Sequence, residues 1–324
     1  MFKDLIQDFP KQLEYEPTIE NSTAFHKKNK FIFCGTGGSN LSAGIIMSWK
    51  PKLDIIIHRD YGLPEIDELE LKNYLVICSS YSGNTEEAIS SFEEALGRKL
   101  QIIVISTGGK LIELAQKHGI PFIKFPEINN SPRIAIGYNI KAAVKAMAEV
   151  SLLNDIDGAI RYSDFQKTEQ VGQNLAKQLQ NRIVLIYSSG KNSGLARYLK
   201  ISLNETAKVP AFYNFLPELN HNEMVGINDK IFEGNLKDKL AYIFLNDPDD
   251  QPKIQTRFVA TKEMFQNQGF PVLGIDLSGP SLWHKSFIAI STAMWTSYYL
   301  AEYYGLDPED ISNIQDFKKS LTVL

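Results

Sequence analysis

Residues Phe31 to Cys34 run into GTGGSNLSAGII, and the same order of parts returns later in the chain, where Ile183 to Tyr187 runs into SSGKNSGLARYL with Gly190 at the place of Gly38, an offset of 152. An apolar run, a glycine turn and a helical pattern is how a buried strand feeds the next helix of an α/β unit. A second echo pairs Leu75 to Cys78 and its helix with Ala241 to Leu245 and the NDPDDQPKIQTRFVATKEMF that follows. Ile55 to His58, Leu100 to Ile105 and Pro121 to Phe125 read as further strands. Strands alternating with helices require right-handed crossovers and helices on both sheet faces. The expected fold is therefore α/β: a doubly wound parallel sheet flanked by helices, present twice.

A chain of 324 residues is also long for one domain, and two units of about 150 residues each match the repeat. The pattern lapses from Asn154 to Arg161, which reads as a linker and sets the halves at 1–155 and 156–324. With 44% apolar and 22% charged residues a sizeable core is available. The net charge of -4 gives no reason to expect nucleic acid as a partner. The start, MFKDLIQDFPKQLEYEP, lacks the basic flank and apolar run of a signal peptide, which points to the cytoplasm. Ser286 to Ala301 carries no charge for sixteen residues, but hydroxyls interrupt it and it falls short of the ~20 residues a bilayer needs. It reads as a buried core helix, with no membrane partner. Cys34 and Cys78 end apolar runs, as buried, reduced thiols do.

Three loops carry the chemistry. GTGGS misses the third glycine of the dinucleotide fingerprint and no GK[ST] follows, so neither NAD nor a nucleotide triphosphate is supported. After Cys78 comes SSYSGNTEEAISSFEEAL, where Ser79, Ser80, Ser82 and Thr85 supply hydroxyls, Gly83 lets the backbone approach, and a helix start offers free amides. A phosphate monoester fits there; the competing reading is an ordinary turn before a helix capped by Asn84 and Glu87. Ser131-Pro132-Arg133 reads as the head of a helix running to about Leu153. A cation there opposes the macrodipole, so Arg133 faces solvent or meets an anion. The second half has NDPDD where the first has the hydroxyl cluster, so a phosphate site belongs to the first half.

The acid/base candidates lie in the second half. A helix from about Gly194 carries Leu195, Leu199 and Leu203 on one face, ends near Glu205, and is stopped by Pro210. An aromatic bridge, Phe212, Tyr213 and Phe215, leads into PELNHNE, which sets His221 sixteen positions after Glu205. A carboxylate and an imidazole on adjacent segments form a candidate proton-transfer pair, against a plain solvated loop. Glu218 and Glu223 are alternatives to Glu205, although in a loop they suit partnership with His221 or solvent better.

Taken together, GTGGS, SYSGNT, SPRIAIGY and PELNHNE resemble the tandem sugar isomerase (SIS) domain proteins, most closely the bifunctional phosphoglucose/phosphomannose isomerases, over nearly the whole chain. The resemblance implies aldose to ketose isomerisation of glucose 6-phosphate, and of mannose 6-phosphate, with fructose 6-phosphate through a cis-enediol, with no metal and no cofactor. It implies that Ser80, Ser82 and Thr85 hold the phosphate and that Gly37, Gly38 and Ser39 line the sugar. By the same resemblance Arg133 stabilises the enediolate, Glu205 moves the proton between C1 and C2, and His221 opens the ring from the neighbouring subunit of a homodimer. Lys319 in FKKSLTVL matches a lysine of the family tail, with Lys318 as the alternative; Ser312 stands where relatives of dual specificity carry a small hydroxyl residue. The chemistry has the same needs: a hydrogen beside a carbonyl is a poor acid, so a carboxylate base and a stabilised oxyanion are both required.

Other functions fit less of the sequence. A zinc-dependent mannose phosphate isomerase needs clustered ligands, and the five histidines are scattered singly. A non-catalytic regulator that binds sugar phosphate through SIS domains needs the hydroxyl loop alone, and usually a basic DNA-binding segment, for which the first thirty residues are too short. The ketose-amination branch carries a glutaminase domain before its repeats, and none precedes them here.

Overall fold

The computed structural model describes residues 1–129, 131–160, 164–227 and 234–321. It holds two all-parallel sheets. The first contains β1 (Lys30–Cys34), β2 (Asp54–His58), β3 (Tyr74–Ser79), β4 (Gln101–Ser106) and β5 (Phe122–Lys124), in the order β2-β1-β3-β4-β5. The second contains β6 (Ile183–Ser189), β7 (Ala211–Leu216), β8 (Leu240–Asn246) and β9 (Val272–Asp276), in the order β7-β6-β8-β9. The two orders coincide over four strands, as a duplicated doubly wound unit requires. In both sheets the order reverses beside the first strand, and such a switch point opens a crevice at the strand carboxyl ends.

The inner strands form because helices cover both faces. Every residue of β3 is buried, and so are Phe31 to Cys34 and Ile102 to Ser106. Such strands read as unbroken apolar runs rich in β-branched residues, which is why the sequence betrayed them. Cys34 and Cys78 are register partners in β1 and β3, both buried free thiols, and hydrogen bonding between them together with burial pushes Cys78 well above the usual thiol range. The helix Leu282–Tyr304 contains the uncharged stretch, buried as expected. Among the described residues no helix is long and apolar enough to cross a membrane.

Three expectations need correction, and one strand was not expected at all. The stretch expected as a linker is helical over Val150–Ile160, so a boundary at 155/156 falls inside a helix; Arg161 lies outside the described residues. The helix expected from Ser131 to Leu153 begins only at Ile136 and stops at Ala146, because Ala148 takes a left-handed φ of 56°. The aromatic bridge is the edge strand β7, with Phe212, Tyr213 and Phe215 at 59%, 38% and 38% exposure. Finally, β9 carries a glycine at position 274 and gave no apolar run to read.

The two copies meet where helix Leu41–Trp49 crosses helix Ser193–Glu205. Gly44 and Gly194 form the crossing point: a Cβ on Gly194 would lie 2.5 Å from the Gly44 carbonyl oxygen. That backbone approach brings the helix after the GTGGS turn of one copy against the glutamate-bearing helix of the other.

Candidate active site

The GTGGS turn follows β1 and is fixed by its own backbone. Gly37 takes a φ of 55°, and Gly38 packs so tightly that a Cβ would stand 3.0 Å from the Pro132 Cβ and 3.3 Å from the Arg133 nitrogen. Ser39 joins this turn to the hydroxyl loop: its Oγ accepts from the Tyr81 N–H at 3.0 Å, and its carbonyl accepts from Ser79 Oγ at 2.9 Å. Ser39 thus borders the hydroxyl loop and Gly38 the Arg133 turn, while the Gly37 carbonyl accepts from Arg197 of the other half at 3.4 Å.

In the hydroxyl loop, Ser80 and Thr85 share a hydrogen bond at 2.7 Å, Ser80 Oγ accepts from the Gly83 N–H at 3.1 Å, and Ser82 Oγ accepts from the Asn84 N–H at 3.2 Å. Gly83 is required, since its φ is 70° and a Cβ would collide with the Gly108 carbonyl. The capping box of Asn84 and Glu87 does not form. Helix Glu86–Gly97 starts after Thr85, has no side-chain cap, and Asn84 Oδ1 instead accepts from the Lys110 N–H at 3.0 Å. The first-turn amides of such a helix have no partner within it, and an uncapped start next to hydroxyls suits an anion.

Arg133 is fully buried and sits in the turn before helix Ile136–Ala146. Its Nη1 donates to Glu205 Oε2 at 3.0 Å, its Nε to Thr206 Oγ1 at 2.7 Å, and its Nη2 to the Pro308 carbonyl at 2.7 Å. The anion that Arg133 meets is therefore a carboxylate of the other half. Burial lowers the Arg133 pKa, while Glu205 pulls it back up. Glu205 ends helix Ser193–Glu205, its side chain 25% exposed, and Oε1 remains for a ligand. A cavity of about 370 Å³ opens here, lined by Asn204, Glu205, Lys208 and Ser312 among others.

Several groups of this site were not foreseen. Gln12 is buried, donating to the Ile134 carbonyl at 2.9 Å and accepting from the Gly137 N–H at 3.1 Å, so the amino-terminal segment braces the Arg133 turn. The Phe2 ring lies 6.0 Å from the Arg133 guanidinium. Lys208, with a left-handed φ of 57°, donates to the Glu205 carbonyl at 2.7 Å and the Asp307 carbonyl at 2.9 Å, tying the helix end to the tail. Burial, then the nearby Arg133, lowers its pKa. Arg197 reaches back to the first half, donating to Asn40 Oδ1 at 2.5 Å. No short motif announces these residues, because most of their partners are backbone groups far away in sequence.

His221 stands apart. It ends a 3-10 turn, Glu218–His221, after the edge strand β7; it is exposed, and among the described residues its ring has no hydrogen bond. Neither neighbouring glutamate pairs with it. Glu218 accepts from Asn222 Nδ2 at 2.6 Å, and Glu223 is held by the Tyr187 hydroxyl at 2.5 Å and Asn214 Nδ2 at 2.6 Å. Lys318 and Lys319 lie on the exposed helix Ser312–Leu321, where Lys319 is 3.0 Å from Asp316 rather than beside Glu205. The second-half loop is closed on itself: Asp247 accepts from Lys285 at 2.6 Å and from Lys191 and Asn192 at 2.9 Å each.

Residues 168–321 match the family described as the bacterial phospho-glucose isomerase C-terminal SIS domain. The chain is 29% identical over 325 residues to a bifunctional phosphoglucose/phosphomannose isomerase of Aquifex aeolicus, covering 98% of this chain and 97% of the other. It is 31% identical over 314 residues to the protein of that name from Thermoplasma volcanium, covering 95% and 97%. Among solved structures, a hypothetical protein of Thermus thermophilus superposes with a TM-score of 0.73 at 16% identity, covering 99% of this chain and 88% of that one.

Proposed function

Since this chain belongs to the family of bifunctional phosphoglucose/phosphomannose isomerases and is an isomerase, we propose that it interconverts glucose 6-phosphate and mannose 6-phosphate with fructose 6-phosphate through a cis-enediol. The observation that carries this reading is the 3.0 Å contact between Glu205 and Arg133, a carboxylate from one half against a buried guanidinium from the other, whose turn is linked to the hydroxyl loop through Gly38 and Ser39.

In this reading Ser80, Ser82, Thr85 and the first-turn amides hold the phosphate, and Gly37, Gly38 and Ser39 border the sugar. Binding that non-reacting end keeps C1 and C2 in register with Glu205. Glu205 takes the proton from C2 and returns it to C1, while a second proton passes from O2 to O1 so that the carbonyl moves from C1 to C2. The charge that develops on oxygen falls to Arg133, whose three hydrogen bonds already use the Nε and both Nη groups and fix its plane. A preset donor of this kind costs no reorganisation as the enediolate forms. His221 moves a proton between O1 and O5 to open the ring, and its exposure beside an edge strand suits delivery into the cleft of a second copy. Ser312, on the cavity shared with Glu205, lies near enough to bear on the C2 configuration. Lys319 completes the set if the tail helix folds inward on substrate. A division into two halves at the helix Val150–Ile160 rather than at a linker, a homodimer and a cytoplasmic location belong to the same proposal.

The test is to supply the purified protein with each of the three hexose phosphates in EDTA and follow interconversion. Turnover of all three is expected. Binding without turnover would instead favour a sugar-phosphate sensor.

A further inference from the structure

A second cavity, apart from this site, gathers three cations, of which Lys191 alone is paired with a carboxylate among the described residues. It measures about 340 Å³ and lies where helices Leu41–Trp49 and Ser193–Glu205 cross, beside β2 and β7. Its lining includes Arg59, Lys191 and Arg197, with Met47, Ser193 and Tyr213. Lys191 is already neutralised by Asp247, 2.9 Å away. Among the described residues, neither Arg59 nor Arg197 forms an ion pair with a carboxylate.

Arg197 bonds only to neutral acceptors, Asn40 Oδ1 at 2.5 Å and the Gly37 carbonyl at 3.4 Å. A guanidinium carries five N–H donors, so roughly three remain for another partner. Burial, and after it the like charge of Arg59, pushes the Arg197 pKa down to about 10. Two cations kept near one another in a partly dry cavity is a cost, and an anion seated between them removes it.

We propose that this cavity is a second anion site, which takes a phosphate-type oxyanion, free or as the phosphoryl group of a monoester, between Arg59 and Arg197. The preference for phosphate follows from charge and shape. A phosphate carries about two negative charges at neutral pH and matches two cations, and its oxygens accept the parallel N–H pair of an arginine fork. The apolar flank of Met47 and Tyr213 leaves room for a small organic remainder. None of the hydroxyl-loop residues lines the cavity, so the two anion sites are separate in space. They communicate through Arg197, which also holds the turn containing Gly37 and Asn40.

Isothermal titration of the intact protein with inorganic phosphate, and in parallel with glucose 6-phosphate, tests this directly. For at least one of the two probes, wild type binds one equivalent more than Arg59→Ser, a change at an exposed side chain whose fold is checked by circular dichroism. Which probe shows the extra equivalent tells free phosphate from monoester. Arg197→Lys keeps the charge but loses the fork, and weakens that equivalent at least tenfold. Equal stoichiometry and affinity in wild type and Arg59→Ser, for both probes, overturns the proposal whether or not the protein turns over hexose phosphates.

Discussion

Glu205 and Arg133 are 72 positions apart in sequence and 3.0 Å apart in space. Each was visible in the sequence for its own reason, Arg133 for its place in a loop and Glu205 for its place at a helix end. Their contact was not, because it depends on how two sheets pack. Thr206, Lys208 and Arg197 were invisible on stronger grounds: Lys208 reaches backbone carbonyls up to 100 positions away, which any residue type supplies. For the pair itself, Glu205→Gln keeps the volume and a hydrogen bond to Arg133 while removing the base. Sugar phosphate still binds within a few-fold, and exchange of the C2 hydrogen with solvent, followed by NMR in deuterium oxide, falls by at least about a thousandfold. Retained exchange would move the base to another residue.

At the scale of elements, legibility follows burial. β1, β3, β4, β6 and β8 are flanked on both sides by other strands and filled with apolar residues. β7 is an edge strand whose aromatic side chains face outward, so it looked like a loop. The helix crossing gives a sharper test of packing against propensity. Alanine gains roughly 1 kcal/mol over glycine inside a helix. At Gly194 that gain is overruled, because the new methyl would meet the Gly44 backbone at 2.5 Å and backbone cannot swing aside. Gly194→Ala is expected to lower the denaturation free energy by about 1–3 kcal/mol. At Gly158, in helix Val150–Ile160, a Cβ meets nothing within 4 Å, and Gly158→Ala is expected to stabilise by up to about 1 kcal/mol. A urea midpoint that is unchanged or raised in Gly194→Ala would mean that the crossing is not tight.

For the whole molecule, the cluster around Asp247 fastens the end of β8 to the long helix Leu282–Tyr304 through Lys285, and to the turn after β6 through Lys191 and Asn192. Burial works against the Asp247 charge, but Lys285, Asn192 and Lys191 outweigh it and hold its pKa down to about 2. A carboxyl depressed on folding stabilises fully above its unfolded value of about 3.9, and that contribution is lost as pH falls through the folded value. Lys285 is raised, burial opposing and Asp247 and Asp249 prevailing, so its share is present below about 10.5 and lost at higher pH. Stability from this cluster is thus flat from about pH 4 to 10, with an acid limb between about 4 and 2. Lys285→Met strips most of that limb and costs roughly 3 kcal/mol at neutral pH, read from urea melts across pH. Assembly has its own test. If His221 serves the cleft of a second copy, subunits carrying Glu205→Gln mixed with subunits carrying His221→Ala recover about a quarter of wild-type activity, because half of the dimers are mixed and each holds one intact cleft. Mixtures that stay inactive would confine His221 to its own chain.

The Gly44–Gly194 crossing has a consequence for history as well as for stability. A close contact between equivalent helices is what a twofold pair of identical subunits makes, and such a pair must keep every feature in duplicate. Once both copies are encoded in one chain, that obligation ends. One copy can carry a hydroxyl loop while the other carries, at the matching place, aspartates and lysines that brace the fold. In a chain of this kind the two halves are free to differ, and here they do, in the loop that follows the strand pair β3 and β8.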